Sequence, residues 1–424
     1  MIGEDIRRIG FWILDFMNGS VIRNHFLDIK NYDEAGGYDN SKKIESILQY
    51  VKENVPYYSN IEGIKLEDFP VVDKNTFKNH KDKMLSVEFL GQKLHTVFTS
   101  GSTGTPMKAV LDANKRKRTV ADLIYNHSKI GWNLGEKYVF IRNWADNYKQ
   151  GFLKSIKQNV KFIKIADFND EKKEELYDYI KKKKNIIIFG YASSIKGFMD
   201  FIHKKKYNTS ELNIKVVICD SDELTDKTRI NMENTFNCPV INRYDNEENG
   251  LLGISKPFDG RLYLNTASYY FELLKLDSDE PVAPGEIGRV VLTDLYNKAM
   301  PFIRYDNGDL GVSSDFGEIK VLDSLAGRKS GAIMSTQGIL ISDVSLSAIF
   351  EIYDLIEKYK CIQNDWNEYE IEYVGNVTVQ NEKELLERLY KCLGVDAIIA
   401  LKKVEDIPVS KTGKYQTTVN NYKK

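Results

Sequence analysis

The chain has 424 residues, enough for one large domain and a smaller one, because a single hydrophobic core stops growing near ~250 to 300 residues. The 60 basic and 61 acidic residues leave a net charge of -1, which argues against nonspecific electrostatic binding to nucleic acid or to an anionic membrane. No apolar stretch approaches the ~20 residues that a transmembrane helix needs. We therefore expect small molecules or proteins as partners, no nucleic acid, and no integral membrane segment.

The four cysteines, Cys219, Cys238, Cys361 and Cys392, include no Cys-x-x-Cys pair, and the five histidines do not fall near them at metal-ligand spacing. This pattern favours a reduced, cytoplasmic protein without structural zinc.

Apolar spacing predicts the order of secondary structure along the chain. Residues 1–90 have apolar positions at helix-like intervals and form a predicted helical N-terminal part. Beyond them, short apolar runs alternate with longer amphipathic ones, which indicates an α/β core with largely parallel sheets. The predicted strands of this core cover residues 94–98, 138–141, 160–165, 186–189, 216–219 and 240–242.

The last third of the chain has a different pattern. Residues 260–293 hold short apolar runs punctuated by proline and glycine, which predicts β-hairpin-rich antiparallel structure. After residues 327–331, a block of about one hundred residues has the size of a small α/β domain. The predicted fold class is α/β, with a large N-terminal domain of mixed sheets and helices, a β-hairpin-rich part, and a small C-terminal α/β domain.

Residues 99–108 (Thr-Ser-Gly-Ser-Thr-Gly-Thr-Pro-Met-Lys) form the strongest motif. Two glycines let the backbone approach a phosphate chain closely, while hydroxyls and free amides donate to its oxygens and Lys108 supplies a positive charge. The segment is not a Walker A loop, because Gly-x-x-x-x-Gly-Lys cannot be found in it. The alternative interpretation is a flexible Gly/Ser connector.

Five further segments follow the loop, and each has an ordinary interpretation when considered alone. Residues 217–224 (Val-Ile-Cys-Asp-Ser-Asp-Glu-Leu) can cap a helix N-terminus, and residues 244–248 (Tyr-Asp-Asn-Glu-Glu) can be an exposed acidic turn. Residues 303–311 contain an Asn-Gly pair typical of a hairpin turn. Residues 327–330 (Gly-Arg-Lys-Ser) lie between the predicted domains, and residues 407–414 (Ile-Pro-Val-Ser-Lys-Thr-Gly-Lys) can be a solvated terminus.

In their order along the chain, these segments resemble the motifs of the acyl- and aminoacyl-adenylating enzymes, which include acyl-CoA synthetases and the adenylation domains of peptide synthetases. Residues 95–420 carry the resemblance. It implies ATP and Mg²⁺ as cofactors, a small carboxylic acid as substrate, and formation of an acyl-adenylate with release of pyrophosphate.

The resemblance also implies roles for individual residues. Lys414 falls on the catalytic position, where an ammonium would neutralise charge on the α-phosphate and the attacking carboxylate; Lys411 is the nearby alternative. Asp309 would accept hydrogen bonds from both ribose hydroxyls, Tyr244 would stack on adenine, and Glu248 would bind magnesium. The implied nucleotide contacts are Thr99, Ser100, Gly101, Ser102, Thr103, Gly104, Lys108, Ser221, Asp222, Glu223, Asn242, Arg243, Tyr244, Asp245, Asp309 and Arg328.

The sequence departs from the family pattern at a few positions. Asp245 and Glu247 replace the usual Gly and Thr, which leaves open whether Glu247 shares the metal role. Ser330 stands where many relatives have aspartate, so the hinge residue is either Ser330 or Lys329. Met107 separates Pro106 from Lys108, where many relatives have lysine directly after proline.

The resemblance divides the chain into a large adenylation domain (residues 1–327), a hinge (328–330) and a small mobile domain (331–424). The acid is expected between the strand ends near residues 144–148 and the loop at residues 190–194, where aromatic and amide groups could suit a small polar or aryl acid. Core packing is the alternative interpretation for Trp144. The expected acid contacts are Trp144, Tyr148, Tyr191 and Ala192.

Residues 9–16 and 243–250 narrow the resemblance to the phenylacetate-CoA ligase-like branch, and within it to CapK-type proteins of bacterial capsule and surface-polysaccharide clusters. The acyl group would then pass to the thiol of CoA or of a carrier protein, or to an amine. One alternative is direct transfer to an amino sugar without CoA. Another is a catalytically silent relative that binds nucleotide as a scaffold.

Overall fold

The computed structural model of the chain describes residues 2–37, 39–99, 106–142, 159–315, 317–329, 331–341, 343–350, 352–353, 356–408 and 417–422. Its α-helices are α1 (Ile2–Met17), α2 (Val21–Glu34), α3 (Ser41–Asn54), α4 (Lys74–Asn79), α5 (Ala113–Lys129), α6 (Asp170–Lys181), α7 (Ala192–Lys205), α8 (Asp226–Phe236), α9 (Asp343–Phe350) and α10 (Val379–Leu393).

The strands of the first two thirds of the chain are β1 (His95–Phe98), β2 (Lys108–Leu111), β3 (Tyr138–Arg142), β4 (Val160–Lys164), β5 (Ile186–Tyr191), β6 (Ile214–Asp220), β7 (Val240–Asn246), β8 (Gly250–Ser255), β9 (Leu262–Leu264) and β10 (Tyr269–Leu274). They are followed by β11 (Ile287–Asp294), β12 (Tyr305–Val312), β13 (Val321–Leu322), β14 (Ser324–Arg328), β15 (Ile333–Met334), β16 (Leu340–Ile341), β17 (Ile356–Gln363), β18 (Glu368–Gly375), β19 (Ile398–Lys403) and β20 (Thr418–Asn420).

An eight-stranded mixed sheet has the strand order β13-β9-β8-β7-β6-β5-β3-β4. Strands β4, β3, β5, β6 and β7 run parallel, whereas β7, β8, β9 and β13 pair antiparallel. Every residue of β5 is buried, as expected for a central parallel strand covered on both faces. Apolar residues of α6, α7 and α8 pack on one face of this sheet. The predicted α/β core is confirmed.

Several core strands extend beyond the apolar runs that predicted them. Strand β6 continues to Asp220 and β7 continues to Asn246. These extensions are polar, so an apolar run alone could not reveal them. They matter for function because ligands of open α/β sheets bind outside the carboxyl ends of the parallel strands.

Residues 260–293 contribute antiparallel structure, as predicted, and β12 continues it beyond that range. Strands β10, β11, β12 and β14 form a second sheet in that order. Its buried residues join those of α3 and of residues 55–84 in an apolar cluster that also contains Tyr244. Helix α3 and the segment after it therefore pack against this sheet.

The C-terminal region has an apolar cluster of its own. Residues from α9, α10, β17 and β18 form it, with Leu385, Leu389 and Leu393 lining up on one face of α10. The mixed sheet β19-β18-β17-β20 carries these helices. The predicted small α/β unit is confirmed. Among the described helices, none is both long and apolar enough to cross a membrane.

Candidate functional site

Asp309 lies where two sheets meet. Its Oδ2 accepts a hydrogen bond from the Tyr244 hydroxyl at 2.8 Å, and the Arg328 Nε lies 3.4 Å from its Oδ1. Asn307 donates from Nδ2 to the Tyr244 hydroxyl at 2.5 Å. Asp309 and Arg328 face each other in the β12–β14 ladder, so the backbone register sets their approach. Three predicted nucleotide residues, Tyr244, Asp309 and Arg328, are thus brought together.

Tyr244 is almost fully buried, and burial raises the pKa of its hydroxyl well above the usual value, with Asp309 adding to the rise. The hydroxyl therefore stays protonated and donates to Asp309. The ring belongs to the large apolar cluster. Stacking of this ring on adenine remains a prediction.

Glu248 lies in the turn between β7 and β8, with 1 % of its surface exposed. Its Oε1 accepts a hydrogen bond from the Tyr305 hydroxyl at 2.9 Å, and the Lys74 Nζ lies 3.5 Å from the same oxygen. No group of three or more His, Cys, Asp or Glu that could hold a metal is found among the described residues. A single carboxylate still fits a magnesium ion that is held mainly by phosphates and water, so Glu248 suits the predicted role.

A second charged group lies at the carboxyl ends of the parallel strands. Arg142 ends β3, Asp220 ends β6, and Arg243 and Asp245 lie in β7. Arg142 Nη1 is 3.9 Å from Asp220 Oδ2, and Arg243 Nη2 is 2.5 Å from Asp245 Oδ2. Burial raises the pKa of Asp220 to about 6; the Asp245 carboxylate adds to the rise, whereas Arg243 and Arg142 oppose it.

The segment after β6 makes a sharp turn. Ser221 has a φ of 68°, a left-handed conformation that is uncommon for serine. Beyond it, the Asp222 carboxylate accepts hydrogen bonds from the backbone amides of Ala192, at 2.6 Å, and Ser193, at 3.1 Å. Asp222 therefore caps α7, and Thr225 caps the helix that follows, α8. Of the two interpretations of this segment, helix capping is observed for Asp222, and adenine contact stays a prediction.

Glu223 connects this segment to the C-terminal region. The Ser347 hydroxyl, in α9, donates to its Oε2 at 2.9 Å. Asn242, the next predicted residue along the chain, donates its backbone amide to the Ser255 hydroxyl at 2.8 Å. Neither contact tests the predicted nucleotide role of these residues.

The structure describes only the two ends of the predicted phosphate loop. The Thr99 amide donates to the Met107 carbonyl at 3.0 Å, and the Met107 amide donates to the Thr99 hydroxyl at 3.1 Å. Lys108 begins β2 opposite Phe98 and is exposed. The other predicted positions, Ser100, Gly101, Ser102, Thr103, Gly104, Trp144, Tyr148, Ser330, Lys411 and Lys414, lie outside the described residues.

Sequence interpretation missed several residues around these groups. Arg142 and Asp220 could have been found, because each is a charged residue that directly follows an apolar strand run. Tyr305 lies inside a recognised segment but was given no role. Lys74 belongs to the predicted helical N-terminal part, and no local sequence pattern distinguishes it from the other lysines there.

A groove among the described residues lies elsewhere. Its volume is about 560 Å³, and its lining includes residues of α3, residues 64–67 and Glu318, with none of the predicted site residues.

Residues 333–421 match the family described as the CapK C-terminal domain. Over 96% of its length the chain aligns with 95% of Protein CapK from Staphylococcus aureus, at 25% identity. The chain is therefore similar to CapK over almost its whole length.

Solved structures show which fold this chain has. A 2-hydroxyisobutyryl-CoA ligase in complex with 2-HIB-AMP, in the postadenylation state, aligns with a TM-score of 0.67 at 16% identity, covering 89% of this chain and 88% of that one. ATP-bound MatB from Rhodopseudomonas palustris aligns with a TM-score of 0.55 at 16% identity, covering 76% and 66%. The fold is that of AMP-forming CoA ligases, with a large N-terminal and a small C-terminal domain.

Different states of the same ligase align unequally with this chain. The TM-score is 0.67 for the postadenylation state and 0.53 for the thioesterification state.

Proposed function

We propose that the protein activates a carboxylic acid with ATP. The carboxylate oxygen forms a bond to the α-phosphorus, the bond from that phosphorus to the bridging oxygen breaks, and pyrophosphate leaves. The acyl-adenylate then transfers its acyl group to a thiol, of CoA or a carrier, or to an amine, and AMP leaves. One observation carries the proposal: the side chains of Tyr244 and Arg328, from two other motifs, both approach the carboxylate of Asp309.

In this proposal each group has a defined task. Asp309, held by Tyr244 and Arg328, accepts hydrogen bonds from the ribose hydroxyls. The loop at residues 99–108 donates to phosphate oxygens, and Lys414 supplies positive charge at the reacting α-phosphate. Glu248 would hold a magnesium ion, which neutralises phosphate charge. No side chain forms a covalent intermediate, because adenylation itself creates the leaving group.

The biological setting proposed is bacterial surface-polysaccharide biosynthesis, in the cytoplasm, by a phenylacetate-CoA ligase-like enzyme. The homology to CapK supports this setting. The described cysteines are free thiols, in keeping with a reducing compartment.

ATP–pyrophosphate exchange with a broad panel of acids tests the proposal, and it fails if no acid supports exchange. Adding CoA, a carrier protein or an amino sugar to an acid that does support exchange identifies the acceptor. Direct transfer to an amino sugar predicts AMP release with the sugar alone. The silent-scaffold alternative predicts nucleotide binding without exchange.

Lys414→Ala is expected to lower exchange by at least about 100-fold, because the charge at the reacting phosphate is lost. Nucleotide binding and the unfolding midpoint should change little. Lys403→Ala is the matched control, since it removes the same charge from an exposed position in β19, and Lys411→Ala tests the nearby alternative. Equal exchange by Lys414→Ala and the unsubstituted protein would remove Lys414 from the catalytic role.

A further inference from the structure

Four polar side chains form a line across the parallel strands. In the sheet register Tyr191 lies beside Asp220, and Asp220 lies beside Arg243. Arg142 directly follows Ile141, the partner of Gly190, and so lies beside Tyr191. Because neighbours in register project from the same face of a sheet, these four residues line one face at its carboxyl edge. We call them the polar row.

An apolar layer lies directly beneath the polar row. Phe140 and Phe189, two residues before Arg142 and Tyr191, are stacked with ring centroids 4.5 Å apart. The Arg243 guanidinium lies over the Phe189 ring at 4.7 Å. Burial against this layer deprives the row of water, which strengthens its electrostatic interactions and penalises any charge left without a partner.

Asp220 is the member of the row whose carboxylate lacks donors. It is 1 % exposed, and no described residue donates a hydrogen bond to either of its side-chain oxygens. The nearest ion-pair contact, from Arg142 Nη1, is 3.9 Å away, beyond hydrogen-bond distance. Buried polar groups are nearly always hydrogen-bonded, so this carboxylate has the geometry of an acceptor for a ligand.

The neighbouring charges have partners of their own. Arg243 pairs with Asp245 at 2.5 Å, and Arg142 lies 3.4 Å from Glu247. Asp222 is engaged by the amides of α7. Among the described carboxylates at this edge, Asp220 is therefore the one that is buried and accepts no hydrogen bond.

We propose that Asp220 determines substrate class by accepting a hydrogen bond from a hydroxyl or amino group of the carboxylic acid. The acid would then carry a second polar group that the polar row recognises, while the aromatic layer contacts its carbon skeleton. The proposal rests on the adenylation function and places the acid beside Tyr191, one of its predicted contacts.

Matched acids test the proposal by exchange. Each series changes one group from methyl to hydroxyl to amino: isobutyrate, lactate and alanine; valerate, γ-hydroxybutyrate and γ-aminobutyrate; and the para-methyl, para-hydroxy and para-amino phenylacetates. We expect kcat/KM for the hydroxyl or amino member of at least one series to exceed the methyl member by about 10- to 100-fold, as for a hydrogen bond to a charged group. The preferred member identifies the donor.

Asp220→Leu should abolish that preference while KM for ATP stays within about twofold. It should remain folded, because it replaces a buried carboxylate that lacks donors with an apolar side chain of similar size. Asp220→Asn should discriminate against the amino member and retain part of the hydroxyl preference. Asp200→Asn, which changes an exposed carboxylate on α7, is the control and should leave all values unchanged.

Three results would overturn the proposal. Equal or better use of the methyl members by the unsubstituted protein is one, and an unchanged preference in Asp220→Leu is another. A higher KM for ATP in Asp220→Leu, with the acid preference intact, would assign Asp220 to the adenine amino group instead. If the unsubstituted protein shows no exchange with any acid, the adenylation function itself fails, and this proposal falls with it.

Discussion

Asp309 illustrates how one carboxylate can be positioned before any nucleotide binds. The Tyr244 hydroxyl and the Arg328 guanidinium approach its two different oxygens, and the Asp309 amide donates to Asn307 Oδ1 at 2.9 Å. Positioning of this kind lowers the entropy that must be lost when the ribose hydroxyls bind. The carboxylate retains further acceptor capacity, since each oxygen has two lone pairs.

Asp309→Asn should weaken ATP binding by about 10- to 100-fold, because a charged acceptor becomes a neutral amide. Calorimetric titration with ATP and with its dideoxy analogue, which lacks both ribose hydroxyls, tests whether the loss comes from the contact with these hydroxyls. The unsubstituted protein should prefer ATP, and the variant should bind the two ligands almost equally. Asp323→Asn, on the neighbouring strand connection, is the control. A retained preference in Asp309→Asn would exclude the ribose role.

Asp220 should make stability depend on pH. Its pKa is about 6 in the folded protein, against 3.8 for an ordinary aspartate. The folded state therefore binds this proton more tightly than the unfolded state does. The contribution of Asp220 to stability is greatest below pH ~4, falls as the pH rises toward ~6, and is constant above that. Asp220→Asn removes this loss. Its unfolding free energy relative to the unsubstituted protein should rise by about 3 kcal/mol across that window.

Urea denaturation of both proteins at a series of pH values measures this difference, and titrations common to both proteins cancel. The charged neighbours Asp245, Arg243, Arg142 and Asp222 stay in place in both. A difference independent of pH would mean that Asp220 is not perturbed in the folded state.

At the scale of elements, strand β14 and helix α9 pack closely at the predicted hinge. Gly327 has a φ of +89°, and a Cβ at this position would lie 2.6 Å from Asp343 Oδ2 and 3.0 Å from its Cγ. Asp343 also accepts a hydrogen bond from the Thr418 hydroxyl, and burial raises the pKa of its carboxyl. The absence of a side chain at Gly327 thus lets the start of α9 approach β14.

Gly327→Ala should reduce the free energy of unfolding by about 2 to 4 kcal/mol, since left-handed strain and overpacking against Asp343 add together. Gly338→Ala is the matched control, because Gly338 has a φ of +77° and a methyl group added there would have no neighbour within 4 Å. It should cost only about 1 kcal/mol. Chemical denaturation of both variants measures the difference, and equal losses would show that the close contact is unimportant.

At the scale of the whole molecule, one hydrogen bond connects the predicted large domain to the predicted small domain. Glu223 follows β6, and Ser347 belongs to α9. The Ser347 hydroxyl also shares a hydrogen bond of 2.6 Å with the Tyr359 hydroxyl inside the small domain. Because Glu223 is exposed, its contact with Ser347 is a modest contribution to holding the domains in this arrangement.

Glu223→Ala should shift the domain equilibrium away from the described arrangement by about two- to fivefold, the effect of losing roughly 0.5 to 1 kcal/mol. Energy transfer between dyes on the two domains, measured without nucleotide, reports the shift. Tyr359→Phe is the control, because it removes the internal partner of Ser347 and leaves Glu223 in place. The same shift in both variants would mean that the interdomain contact is not the cause.

Much of the fold could be predicted from local patterns. Apolar runs identified β5 and β6, and proline and glycine spacing identified the antiparallel part, because these signals reflect burial and turn geometry within a few residues. The polar ends of β6 and β7 were not predicted, since a charged residue in a strand is stabilised by groups distant in the sequence. The contact of Lys74 with Glu248 was not predicted for the same reason, because it joins segments far apart in the chain.

The sequence by itself determined the order of the motifs and the α/β class, since both depend on residue types at short spacing. Only the tertiary structure decided which side chains meet. Tyr244, Asp309 and Arg328 lie in contact, and the Asp222 carboxylate accepts hydrogen bonds from the amides of α7. Asp220 is buried, and no described residue donates a hydrogen bond to its carboxylate. These outcomes depend on strand register and sheet order, and the free energy that fixes register comes from packing over the whole sheet rather than from any one segment.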